Sequence, residues 1–154
     1  MSLRTVSIAA LLAAVLGFTT ATAANKDIVE IFGLAGDDVV NLNNPTAPGG
    51  ATGPDLISLF VEGNDPTASD KLIVNGTTGW DTIDYRPAAA ESLATPNQVV
   101  ITGLPRVDFI TMESLVINGQ GGDDDLTVTT PQNGDLIDLL PSTAPDAGSV
   151  QIHS

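Results

Sequence analysis

Residues 28–43, IVEIFGLAGDDVVNLN, contain two short runs of alternating apolar residues with a turn of small and acidic residues between them. Alternation with a period of two is typical of a strand that buries one face. Glycine permits a tight turn, because it has no Cβ to clash when φ is positive or when two backbones approach closely. An aspartate in such a turn either accepts backbone hydrogen bonds or offers a hard oxygen ligand to a cation. The stretch therefore predicts a strand, a glycine–aspartate turn and a second strand.

The same turn occurs three times at a constant spacing. Written as G-x-x-G-x-D, it begins at Gly33, Gly76 and Gly119, so each copy starts 43 residues after the one before. In each copy the inward positions on the two sides of the turn, such as Ile31 and Val40, are nine residues apart, as in the half-turn of a parallel β-roll. An acid also lies six positions ahead of each copy; these acids are Asp27, Asp70 and Glu113.

We therefore expect an all-β fold, a right-handed parallel β-helix or β-roll built from about three 43-residue repeats after an N-terminal signal helix. The repeats fall near residues 27–69, 70–112 and 113–154 of one domain, which covers residues 24–154. Stacked valine, isoleucine and leucine side chains would form the core, because aromatic residues make up only 4% of the chain.

Residues 1–23 are predicted to be a secretory signal peptide. Arg4 precedes an apolar run, and the small residues Ala21-Thr22-Ala23 form an A-x-A cleavage site. The apolar run is too short to cross a bilayer as a permanent helix. We expect a bacterial protein that is secreted to the cell exterior and is not inserted into a membrane after the signal is removed. The alternative for this segment is an ordinary buried helix.

The composition excludes several classes of function. The chain has 154 residues and a formal net charge of −14, so it lacks the basic surface that nucleic acid or an anionic membrane requires of a partner. It has no cysteine, and its single histidine is His153, which leaves few groups for acid–base or nucleophilic catalysis. We therefore expect no enzyme activity. The remote alternative is a fragment of a β-helix polysaccharide-degrading enzyme that uses paired carboxylates.

The repeated turn resembles the nonapeptide of hemolysin-type, repeats-in-toxin calcium-binding β-rolls, and more closely the divergent relatives found in secreted bacterial arrays. The resemblance covers roughly residues 27–130 and implies Ca²⁺ between neighbouring turns. Only residues 118–125 approach the family motif G-G-x-G-x-D, and the family's repeats run in tandem rather than 43 residues apart. The three adjacent acids at 123–125 repel one another, which a divalent cation would relieve. The predicted calcium-binding residues are Asp38, Asp81, Asp123, Asp124, Asp125, Gly36, Gly79 and Gly122.

These features predict a secreted calcium-binding repeat module whose turns bind Ca²⁺ and couple folding to export. The main alternative is a structural or adhesive extracellular spacer whose aspartates only cap turns. The predicted partners are calcium ions. The chain could also associate with other copies of itself through the ends of the stack, or contact a cell surface or matrix. Trp80, in the second turn, would either stack on a sugar or cover the end of the core.

Overall fold

The computed structural model of the chain describes residues 5–9, 28–42, 58–65, 67–143 and 147–153. Within these ranges the chain forms twelve strands and no helix, in agreement with its many β-branched residues. The strands are β1 (Thr5–Ala9), β2 (Ile28–Phe32), β3 (Val39–Leu42), β4 (Ser58–Glu62), β5 (Lys71–Asn75), β6 (Thr82–Arg86), β7 (Asn97–Ile101), β8 (Arg106–Ile110), β9 (Ser114–Asn118), β10 (Asp125–Val128), β11 (Leu136–Pro141) and β12 (Gly148–His153).

The strands form three sheets. The largest has seven strands in the order β1-β2-β4-β8-β7-β6-β10, and a second has three strands in the order β3-β5-β9. β11 and β12 pair only with each other. The chain repeatedly leaves the seven-stranded sheet for the three-stranded sheet, as it does from β2 to β3, from β4 to β5 and from β8 to β9.

The 43-residue spacing coincides with the strand register in one part of the molecule. β5 pairs with β9 so that Leu72 lies opposite Leu115, and β6 pairs with β10 so that Ile83 lies opposite Leu126. β3, in contrast, pairs with β5 and places Val40 opposite Leu72. The second and third copies of the turn therefore lie on one another, whereas the first copy lies on the segment that precedes the second.

The predicted fold class is wrong. The sheets contain antiparallel as well as parallel pairs, so the protein is not a single parallel β-helix or β-roll of three repeats. The cause is the short turn between β7 and β8, where Leu104 N donates to Ile101 O at 3.0 Å and Gly103 has a φ of 85°. Strands joined by so short a connection run antiparallel, because a parallel pair needs a crossover of a dozen or more residues. β7 consequently runs antiparallel to both of its neighbours.

A second departure from the predicted stack is the hairpin of β11 and β12. It is antiparallel, with Leu139 opposite Val150. Much of its apolar surface faces solvent, since Leu136 is 59% exposed and Leu139 is 73% exposed. An isolated two-stranded hairpin is marginally stable in water, so this element contributes little to the core.

The N-terminal prediction of a helix is also wrong where the structure describes the segment. Residues 5–9 form β1, which pairs with β2 in parallel and places Thr5 opposite Ile28. The remainder of the predicted signal peptide, residues 1–4 and 10–23, lies outside the described residues. Cleavage of the segment after residue 23 remains a prediction.

The core lies between the seven-stranded and the three-stranded sheets. Val61, Leu72, Val74, Val99 and Val107 are at most 1% exposed, and the rings of Tyr85 and Phe109 stack with centroids 6.4 Å apart. Burying each such aliphatic side chain contributes about 1.5–3 kcal/mol.

An asparagine ladder runs across the ends of the three-stranded sheet. Asn118 Nδ2 donates to Asn75 Oδ1 at 3.0 Å, and Asn75 Nδ2 donates to Asn41 Oδ1 at 2.7 Å. The ladder satisfies amide groups that would otherwise be costly to bury. It fixes the register of β3, β5 and β9 next to the turns that carry the acidic residues.

Candidate functional site

The acidic turns form two columns of stacked corners. Three corners lead from the large sheet into the three-stranded sheet, and we call them the first corner column. They lie at residues 33–38, 63–70 and 111–113. The second corner column contains the corners that lead back to the large sheet, at residues 76–81 and 119–124. The three sequence motifs are therefore divided between two places in the fold.

Carboxylates link the corners of the first column. Asp38 N donates to Asp70 Oδ1 at 2.8 Å, and Asp70 N donates to Glu113 Oε2 at 2.8 Å. Main-chain bonds run beside them, from Lys71 N to Asp38 O at 2.8 Å and from Ser114 N to Asp70 O at 3.0 Å. Asp70 and Glu113 thus each accept the backbone N–H of the acid in the adjacent corner, which holds neighbouring corners in register.

The second column repeats this arrangement. Asp81 N donates to Asp124 Oδ1 at 2.9 Å, and Asp125 N donates to Asp81 O at 2.9 Å. Asp81 is only 4% exposed, and its own carboxylate caps the turn, with Thr77 N at 2.6 Å from Oδ2 and Thr77 Oγ1 at 3.0 Å from Oδ1. Hydrogen bonds from N–H groups to a carboxylate are about twice as strong as those between neutral groups.

At four of the five corners a glycine at the start makes room for the carboxylate, whereas the corner at residues 111–113 begins with Thr111. A Cβ placed on Gly76 would lie 2.5 Å from Asp81 Oδ2, and one on Gly33 would lie 2.9 Å from Asp38 Oδ2. Gly119 and Asp124 make the same contact. The glycine is required at these positions by close approach, because a side chain would displace the oxygen that packs against it.

At the corner of Gly76 the residue after the glycine supplies a donor to that oxygen, whereas Gln120, after Gly119, has a φ of 68° and directs its N–H to Asn118 Oδ1. Thr77, after Gly76, directs its N–H to Asp81 Oδ2. At the corners of the first column this residue is left-handed, with φ of 78° at Leu34 and 74° at Asn64, and Asn64 N bonds to Thr111 Oγ1 instead. In the described part of the chain, Asp38 Oδ2 and Asp70 Oδ2 are consequently buried without a hydrogen-bond partner.

The first column also concentrates negative charge. Burial, then the nearby carboxylates of Asp70 and Asp37, raise the pKa of Asp38 above its ordinary value. Hydrogen bonds from the Thr67 side chain and backbone instead lower the pKa of Asp65. Among the described residues, the ion pairs are Arg86 with Asp84, Arg106 with Asp108, and His153 with Asp138. None of them involves a corner acid.

The structure brings only some of the predicted calcium residues together, namely Asp81 with Asp124 and Gly79 with Gly122. Asp38 lies in the first column, while Asp81 and Asp124 lie in the second. Asp123 and Asp125 are exposed, so they do not line a common cavity. Across the ranges that the structure covers, no three histidine, cysteine, aspartate or glutamate side chains are placed to hold a metal ion together.

The predicted turn glycines have conformational and packing roles. Gly36 and Gly122 have φ of 106° and 103°, which L-residues rarely adopt. Gly122 also lies against Gly79, where an added Cβ would be 2.5 Å from the Gly79 carbonyl oxygen. These features account for Gly36 and Gly122 without a metal ion.

The sequence motif missed Asp70 and Glu113 as corner residues. Their signal was present, since each lies at the position six residues ahead of a turn. Trp80 is 70% exposed, so it does not cover the core.

The described residues include no helix that is long and apolar enough to span a membrane. No family model, no curated protein and no solved structure matches this chain. The likeness to repeats-in-toxin proteins therefore remains a resemblance of motifs.

Proposed function

We propose that this chain is a non-catalytic structural module of an exported protein, in which corner carboxylates join successive strands into a rigid body that presents an acidic surface. The observation that carries the proposal is the use of the carboxylates. Asp70 and Asp124 each accept the backbone N–H of another corner acid, and Asp81 accepts two hydrogen bonds within its own turn. Export is supported by the predicted signal peptide.

The proposal differs from the calcium module that the motif predicts at the same residues. Asp81 has both oxygens within hydrogen-bonding distance of Thr77, so it has little capacity left for a cation. Asp123 and Asp125 extend into solvent. A structural role for Asp81 and Asp124 therefore explains their positions better than ligation does.

The test removes the carboxylates in the absence of calcium. Asp81→Ala and Asp124→Ala each leave a backbone N–H without its acceptor, so we expect both to lower the free energy of unfolding by about 1–3 kcal/mol in EDTA. The matched control is Asp123→Ala, which removes an adjacent exposed carboxylate and should change stability by less than about 0.5 kcal/mol. Urea unfolding followed by far-UV circular dichroism measures all three.

Two results would contradict the proposal. A wild-type chain that is unfolded in EDTA would show that the corners need calcium to form. Asp81→Ala and Asp124→Ala variants as stable there as wild type would show that the carboxylates do not stabilise the corners. Release of reducing ends from acidic polysaccharides would instead identify the chain as part of an enzyme.

A further inference from the structure

The end strand of the large sheet belongs to the segment that is predicted to be removed on export. β1 pairs with β2 in parallel, and the register places residue 6 opposite Val29 and residue 8 opposite Ile31. β1 is the first strand in the order of this sheet, and β2 is the second. Cleavage after residue 23 would therefore leave β2 as the end strand, with a row of backbone groups that had paired with β1.

The edge that β1 covers is suited to another strand of the same kind. Val29 and Ile31 are half-buried and pack against the core. A strand with apolar residues at the matching alternate positions extends this apolar face, whereas a shift by one residue would turn its apolar side chains to the other face. The uncovered edge of β2 therefore favours a parallel strand that repeats the alternation of β1.

β12 has the residue pattern of β1. Residues 5–8 of β1 read Thr-Val-Ser-Ile, and residues 149–152 of β12 read Ser-Val-Gln-Ile. In the register that β1 occupies, Val150 would lie opposite Val29, and Ile152 would lie opposite Ile31. β12 can therefore replace β1 with its apolar side chains on the same face of the sheet.

β12 also lacks the parallel neighbour that its sequence equivalent has. β8 lies 43 residues before residues 149–153, and it pairs antiparallel with β7 on one side and in parallel with β4 on the other. Among the strands that the structure describes, β12 pairs antiparallel with β11 and with no other strand. One edge of β12 is therefore open at the position where β8 carries a parallel strand.

The two edges lie at opposite ends of the molecule. β2 leads into β3, which is the first strand of the three-stranded sheet. The hairpin of β11 and β12 instead borders a cavity lined by β9, which is the last strand of that sheet. This separation favours pairing between two chains over pairing within one.

We propose that, once residues 1–23 are removed, β12 of one copy of the chain pairs in parallel with β2 of a second copy, in the register that β1 occupies. The addition of a strand to an exposed sheet edge is a common mode of recognition, in which backbone hydrogen bonds give affinity and the side-chain pattern gives specificity. The contact is head to tail, so each copy can use both ends and successive copies form rows. The inference rests on the proposed export, because cleavage is the step that uncovers the edge.

Two chains with complementary defects test the contact. The full chain of residues 1–154 keeps β1 on β2 but has an open β12. A chain of residues 24–154 that carries Ile152→Lys has an open β2, but it places a charge where residue 152 would meet Ile31, which opposes pairing. The matched control is the 24–154 chain with Ile137→Lys, which changes the residue opposite Ile152 on β11 and leaves β12 intact.

The measurement is the molar mass from light scattering coupled to size-exclusion chromatography over a range of concentrations. The wild-type 24–154 chain and its Ile137→Lys control should associate, with a mass that rises with concentration. The full chain and the Ile152→Lys chain should each remain monomeric. A mixture of these two should form a 1:1 complex that grows no further, because it offers only one open β12 edge and one open β2 edge. Circular dichroism checks that each chain is folded; the described core contains no residue before Val29.

Absence of the 1:1 complex would overturn the proposal, and so would a 24–154 chain that is monomeric or unfolded. Equal association of the full chain would show that β1 does not protect β2, and loss of association in the Ile137→Lys control would place the contact on the face of the hairpin instead of the β12 edge. An exported protein whose mass still includes residues 1–23 would remove the uncovering step. None of these results alters the stability losses of Asp81→Ala and Asp124→Ala, on which the structural function depends.

Discussion

Asp38 and Asp65 lie on neighbouring corners of the first column and are affected in opposite ways by their surroundings. Asp65 Oδ1 accepts hydrogen bonds from Thr67 N at 3.0 Å and Thr67 Oγ1 at 2.7 Å, which favour the charged form. Asp38 has a buried oxygen without a donor and carboxylates nearby, which disfavour the charged form. The two aspartates thus give different pH dependences.

The first prediction concerns Asp38→Asn. In EDTA, wild type should lose stability as the pH rises above about 4, and this variant should not show that loss. Because the pKa of Asp38 is higher in the folded protein than in the unfolded chain, the folded state binds more protons, and its stability falls as the pH rises through the folded pKa. The measurement is the difference in unfolding free energy between wild type and Asp38→Asn from pH 3 to pH 7. We expect the unfolding free energy of wild type to decrease relative to that of Asp38→Asn as the pH increases.

The matched control is Asp65→Asn. The pKa of Asp65 is lowered in the folded protein, so its contribution to stability is present above the unfolded pKa and is lost as the pH falls through the folded one. Its difference curve should therefore have the opposite slope. A difference curve for Asp38→Asn that is flat, or that has the slope of Asp65→Asn, would show that the folded protein does not disfavour the charged form of Asp38.

At the scale of elements, the strands beside the three turns could be predicted because their signal is local. Alternating residues mark β2 and β3, β5 and β6, and β9 and β10 on either side of a glycine–aspartate turn. The order of the strands could not be read in the same way. β4 lies between β2 and β8 because of contacts between distant parts of the chain, which a period of two does not encode.

The direction of β7 differs from the prediction, although the sequence contains a local signal for it. Gly103 and Pro105 form a short turn, which favours a hairpin, whereas the constant 43-residue period favoured parallel coils throughout. Turn length decides here, because chain connectivity limits the geometry of the pair more strictly than a distant repeat does.

The candidate site was only partly predictable for a related reason. The motif placed Asp38, Asp81 and Asp124 at glycine corners correctly, because each lies five residues after its glycine. Gly63 and Asp70 form the same contact, but Asp70 lies seven residues after its glycine, so a search at fixed spacing passes over this corner. The fold conserves the glycine–carboxylate contact at the ends of the loop and leaves the loop length free.

The corner geometry leads to a prediction about Gly63→Ala. The new Cβ would collide with the carbonyl oxygen of Thr111 and with Asp70 Oδ2, so the strands β4 and β8 would have to separate. We expect a loss of about 3 kcal/mol in the free energy of unfolding. The control is Gly103→Ala, where φ is 85° but the space is open, and strain alone should cost about 1–2 kcal/mol.

Urea unfolding of both variants measures the difference. If Gly63→Ala were as stable as Gly103→Ala, the glycine corner would not be closely packed. The case for the first corner column as a fixed framework would then be lost.

At the scale of the whole molecule, burial is uneven along the chain. The buried apolar residues of the described core lie between Leu42 and Met112. Beyond Met112 the apolar side chains are more open, with Val116 39% and Leu126 50% exposed. The buried core is therefore concentrated in the central strands, while β9 and β10 form an end of the molecule whose apolar side chains are more exposed to solvent.

The hairpin of β11 and β12 lies against this end. A cavity of about 480 Å³ separates them, lined by apolar residues of β9 and β10, by Tyr85 and by residues 148–150 of β12. A cavity of this size means that the hairpin does not pack closely against β9 and β10. β9 and β10 each lie at the end of a sheet, and open edges promote association, so we predict that the nearby hairpin limits self-association.

A truncated chain that ends at residue 130 tests this role. Because the truncation removes none of the core residues, the shortened protein should retain its β circular dichroism and a cooperative urea transition within about 1–2 kcal/mol of wild type. The edges of β9 and β10 and the apolar residues that line the cavity would then be exposed. They should cause concentration-dependent self-association, measured by light scattering coupled to size-exclusion chromatography.

The control replaces Leu139 with Ser, which alters the exposed face of the hairpin but leaves the hairpin in place. This variant should not change the association state. An unfolded truncated chain would show that the hairpin stabilises the core, and a folded chain that stays monomeric at high concentration would show that the edges of β9 and β10 need no cover.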